Sequence, residues 1–141
     1  MRRHFFLMTV LFCLLAVAAC KPDRKQTDLK LAAGCQDSIR ALSEPVDQID
    51  FKKSSFKSEK SHDGLLLRTV TLDAHFIHDH GMMVEKTYTC TYNEVSDLFG
   101  YKAEFYRLEK DGNKYGNYNG QALGELEDLL KINHSLEATL H

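Results

Sequence analysis

Leu65–Ile77 (LLLRTVTLDAHFI) and Met82–Tyr92 (MMVEKTYTCTY), separated by His78-Asp79-His80-Gly81, decide how this chain folds. Successive side chains of a strand point to opposite faces. In the first arm Leu66, Arg68, Val70, Leu72, Ala74 and Phe76 share one face, and Leu67, Thr69, Thr71, Asp73, His75 and Ile77 the other. In the second arm Met82, Val84, Lys86, Tyr88, Cys90 and Tyr92 oppose Glu85, Thr87, Thr89 and Thr91. His-Asp-His-Gly carries turn chemistry, so the two arms predict a central antiparallel hairpin with one apolar and one polar face.

Outward from this hairpin the signals are weaker but consistent. Leu31–Glu44 places Cys35, Ile39 and Leu42, followed by Val46, at helical spacings of four, three and four, and Pro45 stops the helix. Ile49–Lys60 (IDFKKSSFKSEK) holds four lysines, the pattern of a charge-protected edge strand, with a basic docking surface as the sharper alternative. Asn93–Gly100 is expected to be a loop or a single helical turn. Tyr101–Glu109 alternates as a further strand, Lys110–Asn113 marks a turn, and Lys114–Tyr118 suggests a short strand. From Gln121 onward Ala122, Leu126, Leu129, Leu136 and Leu140, widened by Leu123 and Leu130, predict a C-terminal helix. The expectation is an α+β domain: an N-terminal helix, an antiparallel sheet of three to five strands, and a C-terminal helix.

The N-terminus is of a different kind. Met-Arg-Arg-His precedes an apolar run of 13 residues, Phe5–Val17, broken only by Thr9. A bilayer needs roughly 20 apolar residues in a helix, so the run fits a signal-peptide core instead. Val17-Ala18-Ala19-Cys20 resembles the lipobox of bacterial lipoproteins, in which the cysteine is acylated and becomes the first residue. Ala16-Val17-Ala18 is the competing site for ordinary signal cleavage. The lipobox resemblance implies residues 1–19 as signal peptide, acylation at Cys20 and attachment to a membrane of the bacterial envelope. Lys21 stands where many inner-membrane lipoproteins carry Asp, which implies the outer membrane, facing the periplasm. Residues 20–30, with Pro22 and the single apolar side chain Leu29 among charged and polar ones, are expected to be a flexible tether, and residues 31–141 a single domain.

Removing residues 1–19 takes Arg2 and Arg3 from the 18 basic residues, leaving 16 against 20 acidic and a net charge of −4. That argues against nucleic acid, which demands clustered cations to displace phosphate counterions. It also takes Cys13 from the four cysteines, and acylation consumes Cys20. Cys35 and Cys90 remain, an even pair in an exported chain, and each lies on the apolar face of its element. A disulfide between them is the expectation.

The stretch Leu72–Tyr92, with Cys35, resembles small exported bacterial proteins of unassigned function, in which a glycine turn leads into an aromatic-x-Cys strand paired with a helix cysteine. The resemblance implies a fold and no activity. Tyr88-Thr89-Cys90 is also similar to the membrane-bound lysozyme inhibitors, yet no Ser-Gly pair, on which their inhibitory loop is built, occurs in this chain.

Candidate chemistry concentrates at the hairpin tip, where His75, His78, Asp79 and His80 precede Met82 and Met83. Imidazole suits zinc or copper, and thioether suits reduced copper. His78 and His80 project to one side of an extended chain and are the candidate metal ligands, whereas His75 points away. Zinc-finger spacings, H-E-x-x-H, G-x-S-x-G and phosphate-binding glycine loops are all missing from the sequence. The expected function is therefore a lipid-anchored periplasmic protein that binds or helps to assemble another envelope protein without catalysis and without a cofactor. A metal-binding lipoprotein using zinc or copper at the tip is the alternative.

Overall fold

Alternation on either side of the His78–Gly81 turn builds the centre of the computed structural model, which describes residues 23–45, 47–78, 81–97 and 100–140. In chain order the elements are α1 (Arg24–Ala41), β1 (Gln48–Lys60), β2 (Leu66–Ile77), β3 (Met83–Asp97), β4 (Gly100–Lys110), β5 (Asn113–Tyr118), β6 (Gln121–Leu123) and α2 (Leu126–Leu140). The strands form one antiparallel sheet in sequence order, each hairpin-linked to the next. The α+β class is as expected, and the two helices lie on one face of the sheet.

The hairpin register is that implied by the alternation. Val70 opposes Cys90, Leu72 opposes Tyr88 and Ala74 opposes Lys86. Val70, Leu72, Ala74 and Phe76 are buried, as are Tyr88, Cys90 and Tyr92, and α1 lays Leu31, Ala32, Cys35 and Ile39 upon them. The Val, Leu, Ile and Phe side chains among them each contribute about 1.5–3 kcal/mol by leaving water. Cys35 and Cys90 are bonded, with Cα atoms 5.8 Å apart and both side chains fully enclosed. Cys35 is one turn from Leu31 and one from Ile39, so the covalent link sits in the middle of the helix stripe.

Three expectations are corrected. The sheet has six strands rather than three to five, because β3 runs on to Asp97 where a loop or helical turn was expected, and Gln121–Leu123 pairs with β5 instead of opening the helix. From Arg24 the segment expected to be a tether is helix instead, and residues 20–22 lie outside the described residues. The segment's remaining charged residues are the first turns of α1, where Asp23 caps Lys25 and Thr27 is buried. Asp28 is held there by Arg24 at 3.1 Å and by Arg68, whose Nη2 and Nε donate to its two carboxylate oxygens at 2.6 and 3.0 Å. Charge-rich composition disfavours folding where the charges lack partners, and Arg24 and Asp28 have them.

The third correction concerns the apolar set expected along α2. Its buried residues are Ile132 and Leu136, flanked by the partly buried Leu129 and Leu140, whereas Leu126 and Leu130 are 73% and 59% exposed. The helix lies beside α1 more than flat on the sheet. Gly34 permits this approach, since a Cβ at that position would come within 2.9 Å of the Leu136 side chain. Polar contacts lock the pair: Ser38 and Ser135 hydroxyls lie 3.3 Å apart, and the Thr139 hydroxyl donates to Asp37 at 2.7 Å. Among the described residues, no helix is long and apolar enough to cross a membrane.

Two measurements check this core. The disulfide closes a loop of 55 residues, so Cys35→Ala/Cys90→Ala is expected to lose about 4 kcal/mol of stability in the chain-entropy account, read as a lower urea midpoint that reductant no longer changes. The second is alkaline. Burial, then the charges of Asp111 and Asp47, push the Tyr88 phenol up to about 12, and burial then Asp37 raises Tyr92 further. Unfolded phenols ionise near 10. The unfolded chain therefore sheds protons first. Stability is complete below about pH 10 and falls as pH rises toward 12 and beyond, and Tyr88→Phe is expected to shallow that fall in thermal melts.

Candidate functional site

Cys20 lies outside the described residues, as do Asp79 and His80, so the paired His78/His80 site is described only through His78. His78 is exposed, and its ring meets Phe76 edge-on at 4.8 Å. The turn is closed by the His78 amide on the Met82 carbonyl at 3.0 Å and the Gly81 amide on the His78 carbonyl at 2.8 Å. Met82 and Met83 are exposed beside it. His75 lies 3.7 Å from Glu85, its pairing partner on the face away from the helices, so His75 and His78 diverge. Among the described residues no three His, Cys, Asp or Glu side chains converge on a common point.

The polar face of the sheet closes on itself. Arg107 reaches across it from β4, with Nε 3.4 Å from the Thr91 hydroxyl and Nη2 3.4 Å from Glu59 on β1. Its guanidinium lies over Tyr118 at 5.6 Å. Leu67 and Thr91 beneath it are buried although they face away from the helices.

A different feature remains open. β5 pairs only with Arg107–Lys110, so Tyr101–Tyr106 of β4 has β3 on one side and no strand on the other among the described residues. Gly116 causes the divergence. It has φ +92°, and a Cβ there would collide with the Tyr106 carbonyl oxygen, so only glycine lets the β5–β6 ribbon touch β4 and turn away. Alternate residues of the open stretch send backbone N–H and C=O groups outward.

Two adjoining cavities of about 410 and 330 Å³ run along this edge. Ala103 and Leu140 line both and mark the midpoint. The first cavity continues to the N-terminal turns of α1 and includes Lys30 and Lys102. The second runs beneath α2 and includes Glu104 and Glu137. None of these four charges has an ion-pair partner among the described residues. Asp23, also at the first end, is occupied in capping α1. The groove is thus basic at one end and acidic at the other.

Its walls are held firmly. The Tyr101 hydroxyl donates to Glu94 Oε1 at 2.7 Å, and the same oxygen accepts from Arg24 at 2.8 Å. Arg24 pairs with Asp28, and Asp28 with Arg68, which also donates to the Ser58 hydroxyl at 2.8 Å. This chain of charges fixes α1 to three strands at the groove's basic end. Burial, then the Glu94 contact, holds the Tyr101 phenol well above its ordinary range, so it stays a donor. On the other wall, Asn133, Glu137 and Leu140 turn the flank of α2 to the groove, and the exposed Leu126 and Leu130 continue that flank toward its N-terminus.

An arrangement of unpaired backbone groups, apolar side chains and charged ends suits an extended polypeptide, which adds a strand through its main chain. Sequence alternation identified β4 as a strand but carried no sign that half of it lacks a neighbour. The signal is Gly116 and the Asn119-Gly120 turn, which bend a short ribbon that pattern alone extends straight. Compared with known proteins, the chain matches no family model, no curated protein and no solved structure.

Proposed function

We propose that this chain is a lipid-anchored protein of the bacterial envelope, attached through Cys20 to the periplasmic side of the outer membrane, and that it acts by binding protein and not by catalysis. The open edge of β4, flanked by α2, is the observation that carries the binding half of this reading. The lipobox-like Val17–Cys20 and the Cys35–Cys90 disulfide, a bond characteristic of exported proteins, support the location. The two halves meet at Asp23. That residue lines the groove and stands three residues after Cys20, a stretch of chain spanning at most about 11 Å. A partner in the groove would lie close to the anchored end of the domain.

Labelled palmitate is expected to enter the protein and to be absent from Cys20→Ala; equal labelling of the two overturns the anchor. For the binding half, Leu130→Asp alters an exposed side chain and is expected to preserve the fold. Cross-linking in intact envelopes should give one defined adduct with the native chain, reduced roughly tenfold or more in Leu130→Asp, the scale of losing an apolar anchor. Unchanged adducts in a folded Leu130→Asp protein overturn the groove as the binding surface.

A further inference from the structure

The groove's charges have a symmetry that names its occupant. Around Ala103 the open edge reads Tyr101-Lys102-Ala103-Glu104-Phe105. A second copy of the same edge, laid antiparallel with the two-fold axis at Ala103, sets Lys102 opposite Glu104 of the second copy and Glu104 opposite its Lys102. On the helix side the same operation sets Tyr101 opposite Phe105. Opposite charges and aromatic pairs are the favourable cross-strand neighbours.

We infer that β4 is a homodimerisation edge, through which two copies of this chain join their sheets antiparallel about Ala103. This inference rests on the binding reading above and names its partner.

Register follows from the charges. Moving the axis to Lys102 sets lysine against lysine, and moving it to Glu104 sets glutamate against glutamate, so sliding either way is penalised. Lys30 and Glu137 repeat the pattern in the helix layer: the basic end of one groove faces the acidic end of the other. Leu126 and Leu130, exposed on the flank of α2 that borders the groove, supply apolar surface next to the paired edges. Such an isologous contact closes at two copies, since each uses up the open edge of the other.

The other edges of the sheet differ from this one in net charge, regularity and length. β1 carries Lys52, Lys53, Lys57 and Lys60 against Asp50 and Glu59, a net positive edge whose two anions are already paired with Lys52 and Lys57 and whose register is broken by a bulge between Phe51 and Lys53, features that resist regular self-pairing. β6 is three residues long. The open stretch of β4 carries one cation and one anion, and among the described residues neither is engaged in an ion pair within its own copy, so each is available to the second copy.

The test uses the mature lipidated chain in detergent micelles, followed by sedimentation with the detergent contribution matched out. The native chain should be a dimer. Lys102→Glu and Glu104→Lys each create like-charge pairs and should weaken self-association about tenfold or more. The double variant Lys102→Glu/Glu104→Lys should restore it, and an equimolar mixture of the two single variants should form heterodimers. In a separate arm, Ala103→Cys should give a dimer through its own thiol on non-reducing gels, because residue 103 faces itself across the axis. A monomeric native chain, or single variants rescued neither by the double exchange nor by mixing, overturns the inference. In that event a distinct adduct still lost in Leu130→Asp leaves the binding reading standing with another occupant. Loss of neither dimer nor adduct in these folded variants overturns both.

Discussion

The bond between Cys35 and Cys90 is the constraint around which the other contacts are arranged. A meander of hairpins is stitched together only by neighbours in sequence, and nothing in that ladder decides where the helices go. The disulfide decides it by fixing the middle of α1 to the middle of β3, the third of six strands. Leu31 and Ile39, one turn to either side, then fall on Val70, Leu72, Tyr88 and Tyr92. The Tyr92 hydroxyl donates back to the Leu31 carbonyl at 3.2 Å, which satisfies a buried donor within the same layer contact. Tyr88 is the exception. Its hydroxyl has no hydrogen-bond partner among the described residues, and burial without a partner is what holds its proton so firmly.

With α1 fixed, α2 has one place to go. The first helix crosses the centre of the sheet, so the second must lie alongside it, and Gly34 together with the Ser38–Ser135 and Asp37–Thr139 contacts sets how close. This moves α2 toward the β4 side. Ile132 and Leu136 go in, and Leu126 and Leu130 stay out. The exposed leucines are thus a consequence of helix placement. The sheet is bent by the same logic of close approach at Gly116, which separates the β5–β6 ribbon from the first half of β4. The groove is the space left between a helix displaced sideways and a ribbon turned away.

What could be read from residues alone follows this division. Strict alternation in β2 and β3 gave their faces, the register-bearing turn and the apolar-face position of Cys90, because period-two burial leaves a direct imprint on side-chain type. The first turns of α1 left the opposite imprint. Arg24, Asp28 and Lys30 read as a solvated tether, since the partners that justify two of them, Glu94 and Arg68, lie 70 and 40 residues away in sequence. The short β6 was absorbed into the helix pattern because Ala122 and Leu123 fit either period. His78 and His80 stood out by composition, yet His78 is engaged edge-on with Phe76, and composition carries no information about convergence. The open edge left almost no imprint, for an unpaired strand has the same alternation as a paired one.

An unpaired edge is an aggregation hazard to any protein, and the chain handles its edges in different ways. β1 repels other strands with lysines, and β6 is too short to template one. Tyr101–Phe105 has neither protection. Its one cation and one anion cancel, its backbone is presented beside exposed leucines, and the residue between the charges is alanine, which puts no bulk in the way. Protection by charge would have needed a single substitution at Glu104. On the proposed reading, the anchor makes this edge usable. Chains acylated at Cys20 and held on one membrane meet at a raised effective concentration with their grooves close to the anchored end, so a contact of a few cross-strand pairs suffices to hold two of them. On the same reading, a helix that begins at Arg24, four residues after the anchor, narrows the orientations in which two edges can meet.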